Sequence, residues 1–143
     1  MEKKSTNNQI TGMAGEFLVA GKLFKRGYQV SLTLGNAKSV DLYVENPATH
    51  KQFRVQVKTL RAKNCFDMLK ENLGADDIYV FVILNGPDAP EDYFIIRGKT
   101  ILDDLHAFFG TSYKRTPPST RPAINYGPLK PFQDRWEIFD KCD

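Results

Sequence analysis

The chain has 143 residues, of which 41% are hydrophobic and 26% are charged, and its formal net charge is +3 at pH 7. This length and composition are typical of one globular domain, here 1–143, that buries its own core without disulfides or structural metals. The sequence has no apolar run of membrane-spanning length and no apolar segment near its start, which argues against a membrane protein and a signal peptide and predicts a cytoplasmic location.

The two cysteines argue against a zinc-binding or disulfide-stabilised protein. Cys65 and Cys142 lie far apart, and neither belongs to a CxxC motif. The sequence therefore predicts neither a zinc site nor a disulfide framework. The mildly basic charge permits a polyanionic partner without demanding one.

The first predicted element is a helix from Ile10 to Arg26, preceded by a polar stretch, 1–9, that we expect to be frayed. Apolar residues recur at helical spacing through this helix, and Gly27 follows it as a stop signal. Glu16 lies at the border of the apolar stripe. It is either a solvated surface charge or a carboxylate that leans over the edge of the sheet.

Three strands are predicted next, at 28–34, 39–45 and 52–59, joined by turns at Gly35-Asn36 and Asn46-Pro47. Apolar and polar residues alternate in each strand, so each strand has one buried and one polar face. The polar face of this meander carries Asp41 and Glu45 on the second strand and Arg54, Gln56 and Lys58 on the third.

That polar face has two readings. A carboxylate, an amide oxygen and an ammonium group on one surface are the groups needed to hold a divalent cation beside a phosphate. Ordinary cross-strand pairing on the wet face of a hairpin would produce a similar mixture of charges. The spacing alone favours the second reading.

The signals after the third strand are mixed. Between Asn64 and Gly74 the pattern predicts a short helix. The stretch 78–84 is apolar throughout, which predicts a central strand covered on both faces and parallel to the third strand through a right-handed crossover. A strand at 92–97 and a helix at 98–109 follow.

Five prolines and several basic residues fill 111–131, which predicts an extended, irregular, basic arm. A terminal helix is predicted at 132–141, where Trp136 and Phe139 would dock on the body of the domain.

The order of these features resembles the PD-(D/E)XK nuclease superfamily. That family has an αβββαβ core, with an acidic residue on its second strand and an (E/D/Q)-x-K tripeptide on its third. Here Val40-Asp41-Leu42 and Gln56-Val57-Lys58 stand at those places, behind the helix that carries Gly15-Glu16. The Q-x-K form is similar to that of Mrr-type restriction endonucleases, and the chain also resembles Holliday-junction-resolvase-like nucleases. The resemblance spans 10–84.

The resemblance implies an α/β fold, namely a restriction-endonuclease-like αβββαβ core with a mixed sheet flanked by helices. The additional strand, helix and proline-rich arm would follow that core. It also implies a Mg²⁺-dependent (or Mn²⁺-dependent) endonuclease that hydrolyses phosphodiester bonds in DNA.

The same resemblance assigns roles to five residues. Asp41 and the main-chain carbonyl of Val57 would ligate the metal, and Lys58 would orient the attacking water and stabilise the pentavalent phosphorus. Gln56 departs from the commoner carboxylate and is a poorer ligand for Mg²⁺. Glu16, leaning from its helix, would restore the missing negative charge.

Arg54, Arg61 and Lys63 lie beside the same face, where they would meet backbone phosphates or simply form a solvated basic rim. The alternative function is a catalytically weak or inactive nuclease-fold module that binds nucleic acid or a protein partner. The third possible function is that of a structural or interaction domain whose polar hairpin face is merely solvated. A homodimer is a further expectation, because two cuts require two sites.

Overall fold

In a computed structural model of the chain, the described residues are 2–33, 40–115 and 121–140, and for 2–7 only the backbone is described. The elements in chain order are α1 (Glu2–Lys25), β1 (Gln29–Leu32), β2 (Leu42–Glu45), β3 (Gln52–Leu60), β4 (Phe66–Asp67), β5 (Asp77–Ile83), β6 (Asp92–Arg97), α2 (Gly98–Asp103), α3 (Leu105–Phe109) and β7 (Ala123–Ile124). Short 3-10 helices lie at Lys70–Asn72, Ser112–Lys114, Gly127–Phe132 and Trp136–Asp140. No helix among these residues is long and apolar enough to cross a membrane.

Five strands form one mixed sheet in the order β1-β2-β3-β5-β6. β1, β2 and β3 pair antiparallel in sequence order, which confirms the predicted meander. β5 pairs parallel to β3 and antiparallel to β6, so the parallel pairing predicted for the central strand is also confirmed. β4 and β7 form a separate two-stranded ladder.

The sheet separates two apolar cores. On one face, Val19 and Leu23 of α1 pack against Leu42 and Val55, all of them 0% exposed. On the other face, Phe81 packs with side chains of α2, α3 and the C-terminal segment. β5 is buried at all seven positions because both faces are covered, as the run of apolar residues without alternation predicted.

α1 is longer than the sequence pattern predicts. It begins at Glu2, so the stretch 2–9, expected to be frayed, is helical. Once the amphipathic part has formed, each added helical residue gains one hydrogen bond without a new nucleation cost, so a polar extension needs no buried face. The end is as predicted: Gly27 has φ of 95°, and Lys22 and Lys25 lie in the last turn, where cations are favoured.

Glycine also sets how closely α1 approaches the sheet. A Cβ built on Gly15 would lie 1.8 Å from the Oγ1 atom of Thr59 in β3. The Thr59 hydroxyl, which is buried and has no hydrogen-bond partner among the described residues, therefore fills the space that a side chain at position 15 would need. Gly12 and Gly21 in the same helix have no neighbour within 4 Å of such an atom.

Two helix predictions are wrong. The stretch between Asn64 and Gly74 forms β4 and a single 3-10 turn, because Phe66 and Met68 alternate into the second core and the strand finds a partner in β7. The helix predicted at 98–109 is divided at Asp104, whose side chain accepts a hydrogen bond from the main-chain N–H of Ala107 at 3.2 Å and so begins a new helix.

The described parts of the predicted arm, 111–115 and 121–131, are not irregular. They form 3-10 turns and β7, and Ile124 and Leu129 are 0% exposed because they fill the second core. Trp136 and Phe139 are buried against the first core, as predicted, although the segment around them is a 3-10 helix. The Tyr28 hydroxyl donates a hydrogen bond to Asp140, and burial together with this bond raises the pKa of Tyr28 to about 12.

Some predicted features lie outside the described residues. These are Met1, the Gly35-Asn36 turn, the strand ends at 34 and 39, part of the proline-rich stretch (116–120), and 141, the end of the predicted terminal helix.

Candidate active site

The Asp41 side chain is hydrogen-bonded to the neighbouring strand, β3. Strand pairing between β2 and β3 ends at Leu42 and Val55, and the main-chain N–H of Val57, two residues further along β3, donates to the Asp41 carboxylate at 2.7 Å. The main-chain N–H of Asp41 in turn donates to the carbonyl of Val55 at 3.0 Å. The carboxylate is therefore half-buried and held directly beside the middle residue of the Q-x-K tripeptide.

Thr33 supports Asp41 from the other side. Its main-chain N–H donates to the Asp41 carbonyl at 3.0 Å, and its hydroxyl contacts the carbonyls of Val40 and Asp41. Because these bonds fix the backbone on both sides of the Asp41 Cα, the carboxylate has little freedom to leave Val57.

Gln56 and Lys58 project from the opposite face of β3 to Val55 and Val57, because successive side chains of a strand alternate. Both line a cleft of about 490 Å³, together with Arg54, Asp77 and the loop 71–74. Lys58 is half-buried, and no hydrogen bond or ion pair to another described residue engages its ammonium group. The cleft thus holds a lysine that is available to an incoming anion.

The Gln56 amide is fixed by two residues of β5. Its Nε2 atom donates to the Asp77 carboxylate at 2.9 Å and to the Tyr79 hydroxyl at 3.1 Å. The parallel register explains this arrangement, because Gln56 pairs with Tyr79 and Arg54 pairs with Asp77. Burial raises the pKa of Tyr79 above its ordinary value, which keeps the hydroxyl protonated.

Glu16 lies where α1 packs on the end of β3. It is 8% exposed, so it is not the solvated surface charge of the first reading. Gly15 beside it touches Thr59, and the Thr11 hydroxyl one turn earlier accepts a hydrogen bond from Arg61 Nε at 2.8 Å. The helix therefore brings Glu16 to the part of β3 that follows Lys58, and its role toward a metal stays a prediction.

The three residues expected to meet phosphates have different surroundings. Arg54 forms an ion pair with the buried Asp77 at 3.3 Å. Arg61 is tied to α1 through Thr11. The Lys63 ammonium lies over the ring of Tyr126, 5.6 Å from its centroid. Their contact with a nucleic acid stays a prediction.

The oxygen atoms around Val57 suit a hard divalent cation. Within 2–33, 40–115 and 121–140, no three His, Cys, Asp or Glu side chains form a group that could hold a metal ion. The donors expected here are of another kind, namely the Asp41 carboxylate, a main-chain carbonyl and an amide oxygen. Mg²⁺ and Mn²⁺ accept such oxygen ligands, and Mg²⁺ retains several waters. Because Asp41 is bonded to Val57 itself, this donor set fits the cation.

Three residues that build this site were not identified from the sequence. Asp77 was placed outside the predicted strand, Tyr79 was part of an apolar run, and Thr33 was an ordinary strand residue. A carboxylate directly before a fully buried strand is a detectable signal, since unpaired acids are rarely buried.

Comparison with known proteins supports the fold. The sequence matches no protein-family model and no curated protein. Among solved structures, the chain is similar to a bacterial homing endonuclease, I-Ssp6803I, with a TM-score of 0.61 and 16% sequence identity, over 92% of this chain and 91% of that one. It is also similar to Hjc, a Holliday junction resolvase from the archaeal hyperthermophile Archaeoglobus fulgidus, with a TM-score of 0.56 and 15% identity, over 92% and 98%.

Both neighbours have the restriction-endonuclease-like fold of the PD-(D/E)XK nucleases, and this chain has it too. The predicted fold class is therefore confirmed, and the predicted resemblance holds at the level of the fold. The likeness rests on the five-stranded mixed sheet and its flanking helices.

Proposed function

We propose that this protein is a metal-dependent endonuclease that hydrolyses phosphodiester bonds in DNA. One observation carries the proposal: the Asp41 carboxylate is bonded to the main chain of Val57, between Gln56 and Lys58, in a nuclease fold. The two structural neighbours, a homing endonuclease and a Holliday junction resolvase, support the same class of reaction.

A divalent cation, Mg²⁺ or Mn²⁺, would be held by the Asp41 carboxylate, the carbonyl oxygen of Val57 and the Oε1 atom of Gln56. When bound, such a cation supplies positive charge opposite the phosphoryl oxygens, where negative charge grows during the reaction. Glu16 would add negative charge to this group of ligands from the helix side.

Lys58 would act on the attacking water and on the phosphoryl group. Its ammonium orients the attacking water and stabilises the negative charge that develops on the phosphoryl oxygens. As the water oxygen bonds to phosphorus and the water releases a proton to solvent, the bond from phosphorus to one sugar oxygen breaks, and that oxygen takes up a proton from solvent. A lysine already paired with a described carboxylate would be less available for this role, and Lys58 has no such partner.

A basic and aromatic surface supports DNA as the partner. Two tyrosines each have two lysine ammonium groups over the ring: Lys63 and Lys130 lie 5.6 and 5.5 Å from the Tyr126 centroid, and Lys70 and Lys114 lie 5.5 and 5.7 Å from that of Tyr113. Lys70 directly precedes the loop 71–74 that lines the cleft. We propose that these lysines, with Arg54 and Arg61, contact backbone phosphates near the cleft.

A second candidate function is a nuclease-fold module that binds nucleic acid without cutting it. The neutral Gln56, where a carboxylate is common, favours this alternative because fewer charged ligands hold a cation less tightly. The two candidates differ in metal dependence: binding through phosphates alone weakens with salt and needs no divalent cation.

The test is incubation of the purified protein with supercoiled plasmid in Mg²⁺ or Mn²⁺, beside a sample with excess chelator. We expect nicked or linear DNA only where the metal is present. If the plasmid stays intact with either metal while the protein still retards it on a gel in a salt-dependent manner, the binding module replaces the nuclease.

The homodimer stays a prediction. α1 exposes Ile10, Phe17 and Phe24, which are 52%, 56% and 49% exposed and stand seven residues apart. Seven residues are close to two helical turns, so the three side chains form one apolar stripe that a second copy would cover. Cutting both strands of a duplex would then use the two sites of the dimer.

A further inference from the structure

We propose that Asp77 is a positioning residue that turns the oxygen of the Gln56 amide toward the metal site, so that this glutamine acts as a ligand. The inference rests on the proposed function and adds to it a residue outside the Q-x-K tripeptide. It starts from one juxtaposition: Asp77 and Tyr79, two residues apart on β5, both accept hydrogen bonds from Gln56 Nε2.

The hydrogen bonds determine which way the amide faces. The Asp77 carboxylate is an acceptor only, and it also forms an ion pair with Arg54 at 3.3 Å. The Tyr79 hydroxyl contacts the carbonyl of Asn72 at 3.4 Å as donor and accepts from the main-chain N–H of Gly74 at 2.9 Å. Both partners therefore accept from Gln56, which uses its two N–H groups and leaves Oε1 on the opposite side of the amide.

A flipped amide would be strongly disfavoured. It would place Oε1 against the Asp77 carboxylate, so that two acceptors met without a proton between them, in a site where Asp77 is 4% exposed. Among the described residues, nothing donates a hydrogen bond to Oε1 in the observed orientation. That oxygen is thus free for a cation.

Close packing holds the carboxylate in this place. A Cβ built on Gly74 would lie 2.6 Å from Asp77 Oδ2, and a Cβ built on Gly98 would lie 1.8 Å from the carbonyl oxygen of Gly74. The loop at Gly74 therefore packs directly on Asp77, and the start of α2 at Gly98 packs on that loop in turn. Because the carboxylate is confined, it can fix the amide in one orientation.

This arrangement also explains why a glutamine is compatible here and a glutamate is not. A carboxylate at position 56 would face that of Asp77 at about the present 2.9 Å separation, and two like charges so close repel each other. Glutamine instead donates to Asp77, and a donor that is engaged by a charged acceptor makes its own carbonyl oxygen more electron-rich. The amide becomes a better ligand than an isolated one.

Calorimetric titration with Mn²⁺ tests the inference without any cleavage assay. The proteins are the wild type, Asp77→Asn, the double variant Gln56→Glu/Asp77→Asn, and Asp76→Asn as a matched control at an exposed neighbour. Urea unfolding of each protein establishes that it is folded. We expect Asp77→Asn to weaken Mn²⁺ binding about 10- to 100-fold, the usual effect of losing a partner that orients a ligand, and Asp76→Asn to leave it unchanged.

The double variant provides the decisive measurement. Its introduced amide at position 77 can donate to the introduced carboxylate at position 56, so Mn²⁺ affinity is expected to return at least to the wild-type value. A folded Asp77→Asn protein with wild-type affinity overturns the inference, and so does a double variant that binds no better than Asp77→Asn. If Asp77→Asn does not fold, a folded double variant that binds Mn²⁺ less tightly than the wild type overturns the inference, and one with at least the wild-type affinity supports it.

The outcome is separable from that of the proposed function. A wild type that binds Mn²⁺ and loses this affinity in Asp77→Asn, yet never cuts plasmid, supports the positioning role and removes the nuclease. A wild type that cuts plasmid and keeps its Mn²⁺ affinity in Asp77→Asn removes the positioning role alone. A wild type that does not bind Mn²⁺ overturns both.

Discussion

Replacing Asp41 or Lys58 with alanine is expected to reduce the rate of plasmid cleavage by about 1000-fold or more, which corresponds to about 4 kcal/mol of lost transition-state stabilisation. Asp41→Ala removes the proposed carboxylate ligand and leaves the Val57 N–H without its acceptor. Lys58→Ala removes the ammonium that we propose to face the phosphate. The measurement is the initial rate of conversion of supercoiled plasmid in Mg²⁺.

The two variants differ in what else they change. Asp41→Ala should also lose calorimetric Mn²⁺ binding, whereas Lys58→Ala should keep it, because lysine is not a metal ligand. Matched controls come from α2, where Lys99 and Asp103 form an exposed ion pair at 2.9 Å. Cleavage by Asp41→Ala and Lys58→Ala at the same rate as by Lys99→Ala and Asp103→Ala would place the chemistry elsewhere.

Gly15→Ala is expected to lower the free energy of unfolding by about 1 to 3 kcal/mol, the usual cost of adding a methyl group to a packed contact. The new Cβ would stand 1.8 Å from Thr59 Oγ1, so α1 must move away from β3. Since Glu16 and the tripeptide lie on either side of this contact, cleavage should fall as well. Urea unfolding followed by circular dichroism measures the stability.

Two other glycines of the same helix provide the control. Gly12→Ala and Gly21→Ala meet no neighbour, and alanine is favoured over glycine inside a helix, so each should raise stability by up to about 1 kcal/mol. If all three variants were stabilised alike, the close approach of α1 to Thr59 would be wrong.

The part of the site that lies on β2 and β3 could be predicted from the sequence, because it depends on local patterns. Alternation places Gln56 and Lys58 on one face of β3, and a hairpin brings Asp41 alongside. The unbroken apolar run after 77 identifies β5 as the buried central strand. These signals need only the periodicity of a strand and a short turn.

The part contributed by β5 could not be predicted in the same way. Asp77 and Tyr79 reach Gln56 only through the parallel register between β3 and β5, and that register is set by packing of residues far apart in the sequence. Tyr79 looked like one more core residue because its ring is buried and only its hydroxyl is polar. A hydrophobic pattern does not distinguish a tyrosine whose hydroxyl belongs to a site from an ordinary core residue.

The prediction for the C-terminal segment was wrong for a related reason. Its prolines suggested an exposed arm, yet Ile124 and Leu129 fill the second core through short 3-10 turns that have no strong periodic signature. Consequently the basic residues around Tyr113 and Tyr126 lie on the body of the domain, and Lys70 among them directly precedes the cleft loop. This placement, which the pattern did not indicate, is what makes them candidates for phosphate contact.

The most direct test of the proposed site is the anomalous scattering of a crystal of the wild-type protein soaked in Mn²⁺. We expect an anomalous peak within coordination distance of the Asp41 carboxylate, the Val57 carbonyl oxygen and Gln56 Oε1, on the side of β3 that faces Lys58. A crystal in which manganese binds only at other places, or in which Gln56 turns its nitrogen toward that position, would contradict the proposed site.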